Sequence, residues 1–447
     1  MPYVLNLIYL ALLVAWGPVL LVKSWRSGKY REGFAEKVRG KAPRRIGDAP
    51  CIWFHAVSVG EVLLLRPLVA DLHRRRPGWD LVISTTTTTG LAVARRTFPD
   101  LMTFYAPLDF SWSTTRAVSR IRPTVLALVE LELWPNLIRA AKRAGAGVAI
   151  VNGRLGARSH RGYRKLRGPL GPTLRRLDAV AVQTEEYAER FVDLGVPRPR
   201  VCVTGSVKYD GLETDRANPR TLALRRSLGL SSSEVVFVAG STMAGEEAAA
   251  LAAYRAARVR HPGLRLVLVP RHQERFAEVA AWLVREGEGV VRRSQIGAEG
   301  PRSRSEPPPV VLVDTLGDLG AAWGLADVAF VGGSLMPGRG GQNMMEPAAY
   351  GAPILFGPHT ANFREPVEQL LARGAARRVA DAAGLAAALL DDLDDPEAAA
   401  ARGAAARAFV LAQDGASART LAEIDRLVEA VVGGAPAGQA LSYAGAR

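Results

Sequence analysis

The chain opens on nineteen uncharged residues, VLNLIYLALLVAWGPVLLV at 4–22, and from Cys51 settles into short apolar runs separated by amphipathic stretches. Continuous apolar runs mark strands buried on both faces, and their interleaving with helix-periodic segments predicts βαβ units around a parallel sheet. CIWFHAV, DLVISTT, TVLALVE, GVAIVNG, DAVAVQT and RVCVTGS read as strands, with helices over 61–75, 90–98, 135–143 and 185–194. The pattern restarts with EVVFVAGS, RLVLVPR, PVVLVDT, DVAFVGG and APILFGP, and with helices at about 245–260, 273–286, 318–326, 343–351 and 364–373. Two Rossmann-like α/β halves are therefore predicted. The join falls near 210–222, where GLETDRANPR carries turn formers and no periodicity. This divides the chain into an N-terminal segment over 1–30, a first half over 31–212, a second over 213–425 and a flexible tail over 426–447. Residues 294–309 read as a flexible surface segment and 374–408 as alanine-rich helix.

The nineteen-residue apolar segment would reach about 28 Å as a helix, just short of a hydrocarbon core of roughly 30 Å. A cleavable signal peptide places basic residues before its apolar stretch, whereas here Lys23, Arg26, Lys29 and Arg31 follow it. The segment reads as an uncleaved membrane anchor, spanning or interfacial, with the body of the protein on the cytoplasmic side. A buried core helix is the alternative.

Length and composition narrow the class. A chain of 447 residues with 48% hydrophobic and 23% charged residues has ample surface to bury, which excludes a small stapled or disordered protein. Cys51 and Cys202 are the only cysteines, too few for a disulfide framework or a cysteine metal site. The net charge of +15 is concentrated in two stretches: nine basic against three acidic residues from Lys23 to Asp48, and eight basic with no acid from Arg154 to Arg176. Such local fields suit an anionic membrane surface, a phosphorylated substrate or nucleic acid. Stacking aromatics, zinc-finger spacing and recognition-helix patterns are missing around them, so no nucleic-acid partner is expected.

In open α/β sheets ligands gather at the carboxyl ends of the strands, so the chemistry is sought there. In HAVSVGEV, Ser58 and Glu61 have capping-box spacing, and Glu61 is equally placed to act as a general base. In ELELWPN, Glu130 and Glu132 stand at i and i+2 and, on a strand, would face one side, an arrangement that calls for a cation, a sugar hydroxyl or a shared proton. Lys208 in TGSVKYD and Arg271 with His272 in VPRHQERF suit phosphate capture. The glycine turns of DTLGD (314–318) and GGSLMPGRGGQNMMEP (332–347) precede helix starts that favour an anion, and Glu346 could bind the hydroxyls of a ribose. No Walker or G-x-G-x-x-G fingerprint is present, and the six histidines have no ligand-like spacing, so neither a metal nor another cofactor is expected. Arg154, Arg158, Arg161 and Lys165 fall at i, i+4, i+7 and i+11, one face of a helix if the segment is helical, and form a candidate site for phosphates or anionic headgroups.

Taken in order, WFHAVSVGEV, TTTTTG, VELELWPN, NGRLGARS, VTGSVKYD, AGSTMAGEE, LVLVPRHQERF, DTLGDL and VGGSLMPGRGGQNMMEPAAYGAPILFGPHTANF resemble the 3-deoxy-D-manno-octulosonic acid (Kdo) transferases of lipopolysaccharide synthesis, from the N-terminus to about residue 425. The resemblance implies a GT-B fold with two Rossmann-like domains facing a cleft, an inner-membrane anchor, CMP-Kdo as donor and a lipid A precursor, a tetraacyldisaccharide bisphosphate, as acceptor. It implies metal-independent transfer with inversion and release of CMP. Glu61 matches the family's proton acceptor, and Glu130 and Lys208 match positions supporting the transition state. Pro270 and Arg271, the Leu316, Gly317, Asp318 turn, and Asn343, Met344, Met345 and Glu346 match segments that hold CMP. The sequence departs from the family's pattern at Met243 and Gln342, which stand where the family has His, and at LGD, where it has M-G-E. All three departures lie in the second half. They keep open another GT-B nucleotide-sugar transferase or epimerase and, with the basic stretches, a non-catalytic anionic-lipid-binding protein.

Overall fold

The computed structural model describes residues 3–11, 14, 33–296 and 308–434. Much of the expected anchor, including residues 15–22 and the basic residues Lys23 to Arg31, lies outside the described residues, as do 297–307 of the expected flexible segment and 435–447 of the tail. The chain forms two compact units, one of residues 1–210 together with those from 413 onward, the other of 211–412.

The first unit is built on seven parallel strands: β1 (Cys51–His55), β2 (Asp80–Thr85), β3 (Met102–Tyr105), β4 (Val125–Val129), β5 (Gly147–Gly153), β6 (Ala179–Val182) and β7 (Val201–Val203), in the order β3-β2-β1-β4-β5-β6-β7. Ile52 pairs with Leu81 on one side and Val125 on the other, so the order reverses between β1 and β4. Successive residues of β1 serve opposite faces. Cys51 and Trp53 join a core with Leu126, Leu128, Val148 and Phe191, while Ile52 and Phe54 join one with Leu65, Leu68 and Leu72 of helix Val59–Arg75. Apolar residues at both parities are what helices on both faces demand.

The second unit repeats the plan with β8 (Val236–Thr242), β9 (Arg265–Pro270), β10 (Val290–Arg292), β11 (Val310–Leu312), β12 (Val328–Val331), β13 (Ile354–Phe356) and β14 (Arg377–Arg378), in the order β10-β11-β9-β8-β12-β13-β14. Its order reverses between β8 and β12. Each unit carries one irregularity at the end of a central strand. The register shifts between Ile150 and Gly153 around Asn152 (φ 53°), and between Gly240 and Thr242 around Ser241 (φ 56°). Left-handed backbone at a non-glycine residue is a cost that neighbouring contacts have to hold in place.

All eleven strands expected from the sequence are present. The three it did not mark, β3, β10 and β14, are edge strands with partly exposed residues, and so lack the continuous apolar signal. The alanine-rich 374–408 divides into β14, helix Ala382–Asp394 and helix Pro396–Leu411, the second capped by Asp395 with Pro396 in its first turn. The main correction is at the C-terminus. Residues 413–425, expected with the second half, and 426–432, expected as tail, form helix Ala416–Val432, whose Leu421, Ile424, Leu427 and Val428 are buried against Val125, Ala149 and Val151 of the first sheet. Burying each such side chain stabilises by about 1.5–3 kcal/mol, and no local pattern says which sheet receives it.

At the amino terminus residues 3–11 are helical and bonded to the first unit through polar groups. The Asn6 amide donates to Ser111 Oγ (2.7 Å) and its oxygen accepts from the Ser111 amide (3.0 Å), while the Tyr9 hydroxyl donates to Asp109 (3.0 Å). Asp109 also accepts the amides of Asn136 (3.1 Å) and Leu137 (2.8 Å) at the start of helix Pro135–Arg143. Burial pushes its carboxyl up to about 6 although these three donors pull the other way. Val4, Leu7, Ile8, Leu10 and Val14 are exposed. No helix of the described residues is long and apolar enough to cross a membrane.

The C-terminal helix is fastened at its start by Asp210, which accepts the amides of Ala416 (3.2 Å) and Ser417. A carboxylate satisfying free amides at a helix N-terminus contributes about 0.5–2 kcal/mol. Asp210→Ala should lower the stability of the first unit by that amount, read as a shift of its urea midpoint with the second unit's transition unmoved.

Candidate active site

In the first unit the expected residues gather at the carboxyl ends of β1, β4 and β7. Ser58 is the N-cap of helix Val59–Arg75, its Oγ accepting the Glu61 amide at 3.3 Å. The Glu61 carboxylate folds back, taking the Ser58 hydroxyl at 2.8 Å on one oxygen and the Val57 amide at 2.8 Å on the other. The capping and base readings thus describe one side chain. Burial raises the proton affinity of Glu61; the Val57 and Ser58 donors lower it, and the charges of Glu132 and Glu130 raise it again. A carboxylate held in place and more basic than usual is suited to accept a hydroxyl proton.

The expectation that Glu130 and Glu132 share a strand face is corrected. The strand ends at Val129, and Glu130 turns the chain with φ 57°, so the two carboxylates take different partners while the charge of Glu130 still acts on Glu132. Glu130 meets Lys208 at 3.4 Å, and Glu132 accepts the Trp134 indole N–H at 2.7 Å. Lys208 sits in the 3₁₀ turn Val207–Tyr209, whose first amide donates to Asn152 Oδ1 (3.2 Å). Behind that turn, Arg419 of the C-terminal helix donates to the Thr204 carbonyl at 2.8 Å.

The basic face is also revised. Arg158, Arg161 and Lys165 are exposed on helix Ala157–Lys165, but Arg154 precedes it, before the N-cap Gly156. An acid does approach this helix from a neighbour: Asp193 meets His160 at 2.8 Å and Arg164 at 3.8 Å.

In the second unit the loops after β8, β9, β11 and β12 carry the expected residues. Pro270 closes β9, and the Arg271 amide donates to Thr242 O at 2.9 Å. Leu316 is exposed and Gly317 has φ 93°, the left-handed turn that favours glycine, with its carbonyl taking Arg220 at 2.8 Å. Asp318 accepts the Thr315 hydroxyl at 2.6 Å. Asn343 orders the start of helix Met345–Ala349, its oxygen accepting the Met345 amide (3.1 Å) and its amide donating to Glu346 (3.1 Å). Met344 and Met345 are buried. Burial raises the Glu346 carboxyl, against donation from Asn343 and the nearby Arg271 charge. Glu346 lines a small cavity of about 100 Å³ with Asn218, Arg220, Gly320 and Tyr350.

One carboxylate that the sequence reading passed over organises these loops. Glu246 is completely buried and accepts four backbone amides, those of Met243 (2.8 Å), Gly333 (2.6 Å), Ser334 (2.9 Å) and Leu335 (2.8 Å). A Cβ on Gly332 would lie 2.8 Å from its Oε2 and 2.6 Å from Ser241 O, so the close approach requires glycine there. The signal was present as a glutamate in AGSTMAGEE and a glycine pair in VGGS, separated by almost ninety residues. Among the described residues no three His, Cys, Asp or Glu side chains converge as metal ligands would.

Residues 27–211 match the family model described as 3-deoxy-D-manno-octulosonic-acid transferase (kdotransferase). The Haemophilus influenzae 3-deoxy-D-manno-octulosonic acid transferase is 35% identical over 373 residues, 81% of this chain and 84% of its own. The chain belongs to the Kdo transferase family. The Bordetella pertussis Kdo transferase is likewise 35% identical, over 93% of this chain and 97% of its own. Acinetobacter baumannii MurG, at 14% identity, shares the fold with a TM-score of 0.52 over 85% of this chain and 100% of its own. The protein is thus a glycosyltransferase of GT-B type. Within this Kdo transferase fold the departures from pattern have visible settings. Met243 is buried and bonds Glu246 through its backbone, and the Gln342 side chain lies over Gly333, where a Cβ would meet it at 3.1 Å.

Removing the Glu246 carboxylate would leave four amides without an acceptor, at about 1–3 kcal/mol for each one that stays buried and unpaired. Glu246→Ala should lower the thermal midpoint of the second unit sharply and Glu246→Gln less, measured by calorimetry. An unchanged midpoint in both would show that the loop holds itself.

Proposed function

We propose that this protein transfers Kdo from CMP-Kdo to a lipid A precursor at the cytoplasmic face of the inner membrane, releasing CMP. The single observation that carries the reading is the Glu61 carboxylate, fixed by Ser58 and Val57 at the end of β1 and made more basic by burial. As the acceptor hydroxyl attacks the anomeric carbon, its proton passes to Glu61 while the bond to the CMP phosphate breaks. A single displacement inverts the anomeric centre and needs no covalent enzyme intermediate. Lys208, oriented by Glu130, and Arg271 supply positive charge for the anions of the reaction, and no metal is assigned a part. Glu346, with Asn343 beside it, suits the ribose hydroxyls, and the Leu316–Asp318 turn offers backbone groups to the base.

The membrane part of the proposal draws on the uncharged 4–22 stretch, the exposed apolar residues of helix 3–11 and the basic residues after them. Arg158, Arg161 and Lys165, with Arg154 ahead of the helix, would take the acceptor's phosphates or neighbouring headgroups.

Incubation of the purified full chain with CMP-Kdo and tetraacylated lipid A precursor tests the reaction directly. CMP release with formation of a Kdo-bearing lipid is expected; turnover only with a UDP-sugar would replace CMP-Kdo as donor, and lipid binding without turnover would leave a non-catalytic protein. Glu61→Gln should preserve the fold, because the amide oxygen can still accept the Val57 amide, and abolish most transfer, because it cannot take a proton. Near wild-type turnover would remove Glu61 as base. Charge reversal at Arg158 and Arg161 should raise the apparent KM for the lipid acceptor severalfold and flatten its salt dependence, leaving CMP affinity alone.

A further inference from the structure

Glu61 follows β1 and Glu132 follows β4, the strand paired beside it, and the position of Glu132 is set by a chain of rings. Trp53 Nε1 donates to Ser84 Oγ at 2.7 Å, and that oxygen lies 2.9 Å from His55 Nδ1. The Ser84 hydroxyl thus bonds both rings at once, and the imidazole Nε2 is buried without a hydrogen-bond partner among the described residues. His55 is fully buried, and burial lowers its pKa to about 3, so the ring is neutral and keeps a single N–H. Its ring stands nearly perpendicular to that of Trp134, with centroids 4.9 Å apart. Trp134 is further fixed by Pro135, the first residue of helix Pro135–Arg143. The neutral imidazole therefore serves as a wall against which the indole is set, and the indole N–H in turn holds Glu132 at 2.7 Å.

We propose that Glu132, anchored by the Trp134 indole, is a positioning residue that sets the charge environment in which Glu61 takes up the acceptor's proton. This rests on the reading of Glu61 as base. The groups that act around Glu61 rank the two neighbouring carboxylates. Glu130 is paired with Lys208, which offsets its charge, whereas the partner of Glu132 is a neutral N–H. Glu132 also stands ahead of Glu130 among the charges that raise the proton affinity of Glu61, after the larger effect of burial. Burial first, and then the same charge, raise the phenol of Tyr163, on the helix after β5, which places that side of the site within its field. Arg154 lies on the loop before that helix, His55 is uncharged, and Ser58 and Val57 supply the donors from Glu61's own segment. A purely structural glutamate would fix the loop; this one also tunes the base.

The test is the pH dependence of kcat/KM for the lipid acceptor, measured on the full chain with CMP-Kdo. Glu132→Gln retains an acceptor for the indole N–H but removes the charge, so the acidic limb should move to lower pH by about half a unit. One pH unit below the wild-type midpoint, the fraction of plateau activity retained should rise about threefold. Glu132→Asp, which keeps the charge, should leave the limb near wild type. Trp134→Phe frees Glu132 and lets it protonate more readily, and should shift the limb in the same direction by less. A Glu132→Gln enzyme of lower rate with an unmoved limb would overturn the proposal and leave Glu132 a structural residue. Should Trp134→Phe fail to fold, the Gln and Asp variants decide the matter by themselves. Wild-type turnover by Glu61→Gln would be a different failure, removing the base assignment and this proposal with it.

Discussion

A carboxylate buried without a counter-cation is costly, and in the second unit that cost is met by backbone. Glu246 gathers amides from two loops that belong to different strands, the one after β8 and the one after β12, and so joins the two sides of the topological switch. Four charge-assisted hydrogen bonds fix the Gly332–Leu335 turn far more firmly than a glycine-rich segment could fix itself. Further contacts build on that turn. Ser334 Oγ accepts the Gly357 amide at 2.9 Å, the Ser334 carbonyl accepts the His359 amide at 2.8 Å, and Gly341 N reaches Gly333 O at 2.7 Å. The position of Asn343 and Glu346 is thus a consequence of where Glu246 lies. The adjacent Glu247 meets Arg275 at 2.7 Å and accepts the Thr242 hydroxyl at 2.9 Å, tying the loop after β9 into the same arrangement.

The first unit reaches a similar end by different means. Its irregular residue is Asn152, whose side-chain oxygen takes the Val207 amide and whose carbonyl takes Gln183 Nε2 at 3.0 Å. The turn bearing Lys208 is held from β5 on one side and from the C-terminal helix on the other. Strain at Asn152, Glu130 and Ser241 sits at strand ends, where the strands hand over to the loops that carry chemistry. Rigid sheets supply the reference frame, and a few polar side chains aim the loops.

The parts of the fold legible in the sequence were those governed by local pattern. Ten of the eleven expected strands announced themselves because both faces are buried, edge strand β7 did so through its apolar residue types alone, and Glu61 was found because capping-box spacing is a short-range signal. Edge strands β3, β10 and β14 were missed because half-exposed residues carry no apolar run. The partners of Glu246, the Trp134 hold on Glu132 and the destination of helix Ala416–Val432 depend on which segments meet in three dimensions, and no periodicity encodes that. The pairing of Glu130 and Glu132 on one strand face failed for a local reason with no residue-type signal: the chain turns through left-handed backbone at a glutamate. Arg154 fell outside its expected helix because Gly156 starts the helix later than a basic repeat suggests.

The return of the last helix has a consequence for how the chain can be taken apart. The second unit is one uninterrupted stretch, a guest whose two ends are both joined to its host, while the host is written in two pieces far apart in the gene. An N-terminal fragment ending at residue 210 would lack the helix that covers Val125, Ala149 and Val151, and would expose them to aggregation. During synthesis the host sheet stays uncovered until the ribosome has finished the guest, so the guest has the opportunity to fold first although it is encoded second. A circular permutant that begins at the C-terminal helix and runs on into β1 would make the host continuous and reverse that order.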